Sequence, residues 1–132
     1  MPVLDTSFLI DVQHQAPTAQ DALRHLRENG DALLVPAQAA IEFLHGFEDQ
    51  VRALHRLEES FRLVELDRET ILETAFLSRQ ARRNGFPPQW EDAQIAAVAS
   101  LEQTYVVTAN PRHFEQLSVP CWDYRMEPEP PA

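Results

Sequence analysis

Met1-Pro2-Val3-Leu4-Asp5-Thr6-Ser7 opens the chain with a brief apolar run that stops at a carboxylate. Val3–Asp5 reads as a strand. The chain then turns at once to helical spacing, with Phe8, Leu9 and Val12 on one face of a segment Thr6–Val12. The same punctuation returns late in the chain, where Tyr105-Val106-Val107-Thr108-Ala109-Asn110 is a β-branched run ending in a carboxamide. Strands that lead straight into helices build a parallel sheet with right-handed crossovers. In such a sheet, ligands collect outside the carboxyl ends of the strands. Asp5 and Asn110 both belong at such an end.

Between these two runs the pattern keeps alternating. Pro17 to Asn29 reads as a helix with Ala22, Leu23 and Leu26 as its stripe, stopped by Asn29-Gly30. Ala32–Val35 reads as a second strand, apolar throughout because both faces are covered. Pro36 suits the first turn of a helix to about Phe47, and Glu48–Ser60 continues with Val51, Leu54 and Leu57. Arg62–Leu66 is a third strand. Asp67 then caps a helix from Arg68 to Asn84, with apolar positions at Ile71, Leu72, Ala75 and Phe76. After the Asn84–Pro88 loop, a small-residue helix from Glu91 or Asp92 to Glu102 is apolar enough to lie inside. Val106–Thr108, a helix Arg112–Leu117 and a strand Val119–Trp122 complete an α/β domain, with five parallel strands and helices on both faces. Residues 1–124 are expected to form that domain and residues 125–132, rich in proline and glutamate, a disordered tail.

Bulk composition narrows the function classes. At 132 residues the chain makes one domain with a real core. No apolar stretch approaches the roughly 20 residues that span a bilayer. The start of the chain lacks the basic and apolar regions of a signal peptide, so a cytoplasmic protein is expected. The single cysteine, Cys121, excludes an internal disulfide and reads as a small packed residue. The net charge of −10 is wrong for a protein that grips nucleic acid by phosphate neutralisation alone. All 11 basic residues are arginine. Without lysine or the glycine pattern, a Walker-type phosphate loop is excluded, and a phospho-accepting receiver domain lacks the lysine it needs beside its acids.

Four polar residues carry the chemistry. Asp5 and Asn110 end strands, Glu42 interrupts the apolar face of Ala37–Phe47, and Asp92 opens a helix-like run. Acids gathered at one sheet edge with no basic neighbour in sequence call for a divalent cation. Magnesium takes hard oxygen ligands and keeps several waters, so two or three carboxylates suffice; manganese is the alternative. Each residue also has a plainer role. Asp5 and Asp92 could be helix N-caps, each stabilising by roughly 1 kcal/mol. Glu42 is harder to dismiss, because Ile41, Phe43 and Leu44 around it read as a largely buried turn, where an unpaired carboxylate costs several kcal/mol. Thr6, Ser7 and Thr108 could orient waters or phosphates, or simply serve turns and strand ends. Arg112 and His113 stand near Asn110, where they could meet a phosphate or solvent alike.

Val3-Leu4-Asp5-Thr6-Ser7, Ala40-Ile41-Glu42-Phe43-Leu44-His45-Gly46, the run from Asp92 to Ala99, and Val107-Thr108-Ala109-Asn110-Pro111-Arg112-His113-Phe114 together resemble the four ordered motifs of PIN domains. The similarity extends from Met1 to about Trp122 and is greatest to the VapC-like toxins of type II toxin–antitoxin pairs. Any one motif is weak; all four in order are strong. The resemblance implies metal-dependent endoribonuclease activity with Asp5, Glu42 and Asp92 as ligands, and cleavage that leaves a 5′-phosphate and a 3′-hydroxyl. It also implies an antitoxin that wraps the domain. The family often has aspartate where Asn110 stands, which puts a second tightly held metal in doubt. Apolar helix faces around Phe43–Leu57 are candidates for homodimer and antitoxin contacts. The competing reading is a catalytically silent PIN-like protein-binding module, against which three retained like charges argue. A haloacid-dehalogenase-like phosphatase needs a second acid where Ser7 stands.

Overall fold

In this computed structural model, residues 1–131 are described. Ala132, the end of the tail expected to be disordered, lies outside them. Five short strands form one parallel sheet: β1 (Val3–Leu4), β2 (Leu34–Pro36), β3 (Arg62–Val64), β4 (Val106–Thr108) and β5 (Cys121–Asp123), in the order β3-β2-β1-β4-β5. The chain steps from β1 out to β3, then crosses back to β4 and on to β5. Right-handed connections therefore put the early and late helices on opposite faces. The reversal falls between β1 and β4, paired through Val3 with Val106 and Leu4 with Val107. A crevice at the carboxyl ends of these two strands is the switch point where open α/β sheets bind ligands.

Seven helices cover the sheet: α1 (Thr6–Gln13), α2 (Pro17–Glu28), α3 (Ala37–Leu44), α4 (Gln50–Ser60), α5 (Arg68–Arg83), α6 (Trp90–Leu101) and α7 (Pro111–Glu115). The element order is the one expected, with boundaries moved by a few residues. β2 starts at Leu34 rather than Ala32. Pro36 ends that strand as the N-cap of α3 instead of entering its first turn. β3 stops at Val64, and β5 runs from Cys121 to Asp123. Asp67 caps α5 as expected, its side chain accepting from Thr70 N at 2.8 Å. Gly30 has a φ of 74°, the left-handed conformation that closes α2 where Asn29-Gly30 was read as a stop.

Burial confirms the inner position read for one helix and reverses the face read for another. Every residue of α6 from Ala93 to Ala99 is buried, so this helix is the inner wall of the core. α5 does the reverse. Its apolar stripe Ile71, Leu72, Ala75 and Phe76 faces outward, with Ile71 53%, Leu72 61% and Phe76 54% exposed. The helix packs inward through Thr70, Leu77 and Ala81 instead. Periodicity marks an amphipathic face without saying what covers it. At the far end of the sheet, Trp122 Nε1 donates to the Glu127 carbonyl at 2.9 Å.

Candidate active site

Asp5 follows the last residue of β1 and is the N-cap of α1, so strand and helix both fix its backbone. Its side chain is nearly enclosed and accepts three hydrogen bonds. Oδ1 accepts from Thr6 N at 2.8 Å, and Oδ2 accepts from Ser7 Oγ at 3.1 Å and Thr108 Oγ1 at 2.7 Å. These hydroxyls are themselves held, Ser7 by the end of β4 and Thr108 by the turn that follows it. Ser7 Oγ accepts from Ala109 N at 3.0 Å, and Thr108 Oγ1 accepts from Asn110 N at 2.9 Å. Among the described residues, no cationic side chain pairs with Asp5. Burial pushes its carboxyl above the ordinary value; the bonds from Thr108, Thr6 and Ser7 oppose that, and the charge of Glu42 adds to it. The capping role read from the sequence is thus present, and Asp5 carries more than a cap requires.

Glu42 lies on α3, half-buried, with Oε1 accepting from Gln38 Nε2 at 3.1 Å. The turn around it is more open than its neighbours imply, since Ile41 is 51% exposed. Asp92 sits in the first turn of α6, but the N-cap is Gln89, so Asp92 is free of capping duty. Its Oδ2 lies 3.1 Å from His113 Nδ1. Burial raises the Asp92 carboxyl and His113 works against that, while the charges of Asp5, Glu42 and Glu91 raise it further. Asn110 stands at the start of α7 with its side chain making no capping bond.

These residues line one open depression of about 710 Å³, which brings Asp5, Glu42, Asp92 and Asn110 together with Thr6 and Ser7. Thr108 is fully buried beneath it and does not line it, acting instead through the Asp5 carboxylate and the Asn110 backbone that it holds. Arg112 is exposed on α7 and does not line the depression, whereas its neighbour His113 does. Sequence reasoning missed Gln38 and Glu91. Gln38 was legible as the residue one helical turn before Glu42. Glu91 was concealed by standing beside Asp92; its Oε2 is buried without a hydrogen-bond partner, as is Thr6 Oγ1.

Among the described residues, no three carboxylate, histidine or thiol side chains are placed close enough together to hold a metal ion. Glu42 is turned to Gln38 and Asp92 to His113, which separates charges that would otherwise repel. The donor set still fits a hard divalent ion. It is all oxygen, open to water, built on a buried acid without a cation, and flanked by two buried oxygens that no protein group satisfies.

Comparison with known proteins bears on the family and the fold. The PIN domain family model matches residues 3–119. Ribonuclease VapC1 of Methanocaldococcus jannaschii is 30% identical over 118 residues, which cover 87% of this chain and 79% of that protein. Among solved structures, FitAcB from Neisseria gonorrhoeae superposes with a TM-score of 0.80 at 22% identity, covering 96% of this chain and 100% of its own. A toxin–antitoxin complex from Klebsiella pneumoniae superposes with a TM-score of 0.70 at 20% identity, covering 86% and 90%. These two share the fold. With a family match across most of its length and acids at the switch point of its sheet, the chain belongs to the PIN domain family.

Proposed function

We propose that this chain is a divalent-metal-dependent endoribonuclease and the toxin half of a VapBC-type toxin–antitoxin pair, acting in the cytoplasm. The observation that carries the reading is Asp5: a buried carboxylate held by three neutral donors, with no cation beside it among the described residues, lining one depression with two further acids. The similarity to Ribonuclease VapC1 supports the RNA-cleaving activity, and the fold shared with a toxin–antitoxin complex supports the pairing.

Asp5, Glu42 and Asp92 would hold Mg²⁺, with Mn²⁺ as the alternative. The bound ion would supply Lewis-acid polarisation of the scissile phosphate and activation of water. The protein's own part is positioning. Ser7 and Thr108 lock the Asp5 carboxylate in one orientation, so this ligand needs no reorganisation. Glu42 and Asp92, now turned to Gln38 and His113, would be the ion's other two ligands. The Asn110 amide, uncommitted to the cap, orients water or a phosphate oxygen, and Thr6 Oγ1 offers a second buried polar contact. Arg112, outside the depression on α7, is a candidate for the next phosphate along the strand.

Two surfaces suit the partners. An apolar groove of about 450 Å³ lies between α1, α2 and α4, lined by Leu9, Leu23, Phe43, Phe47 and Leu57 with Arg27, Arg52 and Arg56 among the residues that line it. It suits an apolar antitoxin segment with acidic flanks. The outward stripe of α5 suits a second copy of the chain in a homodimer. Among the described residues, no helix is long and apolar enough to cross a membrane.

Calorimetric titration with Mg²⁺ and Mn²⁺ tests the site. Wild type should bind at least one ion, and Asp92→Asn should weaken that binding by roughly tenfold or more. Absent or unchanged binding would move the function to a non-catalytic protein-binding module.

A further inference from the structure

We propose that Trp90 is the platform on which a base of unpaired RNA stacks beside the acid depression, so that stacking holds a substrate that the surface charge repels. The inference rests on the ribonuclease reading. Trp90 is the first residue of α6 and is 58% exposed, whereas the other tryptophan, Trp122, is 1% exposed. The helix that carries it is buried from Ala93 to Ala99, so the indole projects from a firmly packed element two residues before Asp92. Ile41 on α3 and Ile10 on α1, 51% and 39% exposed, line the same depression. Three separate elements thus surround the acids with apolar surface.

Charge explains why this surface bears on RNA. The residues lining the depression include the carboxylates of Asp5, Glu42, Glu91 and Asp92 and no arginine, in a chain of net charge −10. A divalent ion offsets that repulsion at one phosphate. Within the depression no arginine holds a neighbouring phosphate by counterion release, the dominant source of affinity in most nucleic-acid binders. Every base has a π-face, however, and stacking on an aromatic side chain strengthens binding by roughly tenfold to a hundredfold per base. Paired bases hide their faces, so the substrate segment is single-stranded. A second copy of the chain is the other candidate to cover Trp90. The observations favour RNA because Trp90 shares its depression with the acids, while Ile71, Leu72 and Phe76 on α5 lie outside it.

The test uses the full chain with Mg²⁺ and single-stranded oligoribonucleotides about ten nucleotides long, of random sequence. Trp90→Ala should raise KM by roughly tenfold with kcat little changed, and Trp90→Phe should restore most of the loss. With wild type and Mg²⁺, the oligonucleotide should quench the emission of exposed Trp90 on mixing, before turnover, and an abasic strand of the same length should not. An unchanged KM in Trp90→Ala, or equal quenching by the abasic strand, would overturn the proposal. If Trp90→Ala instead turns a dimer into a monomer in sedimentation while KM holds, the indole belongs to a contact between copies and the proposal fails. A wild type that neither cleaves nor is quenched with Mg²⁺ or Mn²⁺ would sink the ribonuclease reading itself, a result distinct from active enzyme indifferent to Trp90.

Discussion

Helix α1 carries an aspartate near each end, and the fold treats the two in opposite ways. Asp11 is completed by the protein. Its Oδ2 accepts from the Tyr124 hydroxyl, from Arg125 Nε at 2.9 Å and from Arg125 Nη2 at 2.7 Å. Burial alone would raise its carboxyl, but the bonds from Tyr124 and Arg125 hold it below the ordinary value. Asp5 receives as many hydrogen bonds, all from neutral donors, and burial keeps its carboxyl raised. A hydrogen bond orients a carboxylate; only a cation neutralises it. Asp11 stitches the end of the last strand to α1, while Asp5 is oriented by neutral donors alone, which is what the proposed ligand role requires.

The strongest way to break this contrast is Asp5→Asn. Losing the anchor ligand should lower RNA cleavage by roughly a hundredfold to a thousandfold, the scale of several kcal/mol of lost charge stabilisation. The metal-free thermal midpoint should hold or rise, because one member of a repelling group is gone. A clear fall in that midpoint would make Asp5 chiefly a structural cap. Tyr124→Phe should do the opposite, reducing stability by about 1 kcal/mol in urea unfolding with metal affinity unaltered.

The two aspartates should also separate by pH. The folded pKa of Asp11 is lowered, so its stabilisation is present above its unfolded value of about 3.9 and is lost as pH falls through the folded value. The folded pKa of Asp5 is raised, so in metal-free protein its penalty is absent below about 3.9 and sets in as pH climbs through the folded value. Unfolding followed across this range should therefore show Asp11→Asn flattening the acid limb and Asp5→Asn removing a decline on the neutral side. Identical profiles would erase the distinction. The smallest effect is expected at the edge of the site. Asn110→Asp adds a charge beside the acids and should tighten Mg²⁺ binding by roughly threefold to tenfold, whereas unchanged affinity would place Asn110 away from the ion.

Much of this was legible in the sequence, for a local reason. Strand runs that end in Asp5 and Asn110, and helix stops such as Asn29-Gly30, are written in adjacent residues, so the α/β class, the order of elements and the four polar positions could be read directly. What joins those positions is not local. Thr108 becomes a support for Asp5 only because β4 pairs with β1, and His113 meets Asp92 only because α7 packs against α6. The outward stripe of α5 and the exposure of Trp90 were equally hidden, since periodicity reports that a face is apolar and packing alone decides whether anything covers it. Local chemistry determined which residues could act. The sheet order determined which of them meet, because burial, pairing and repulsion are properties of neighbours in space.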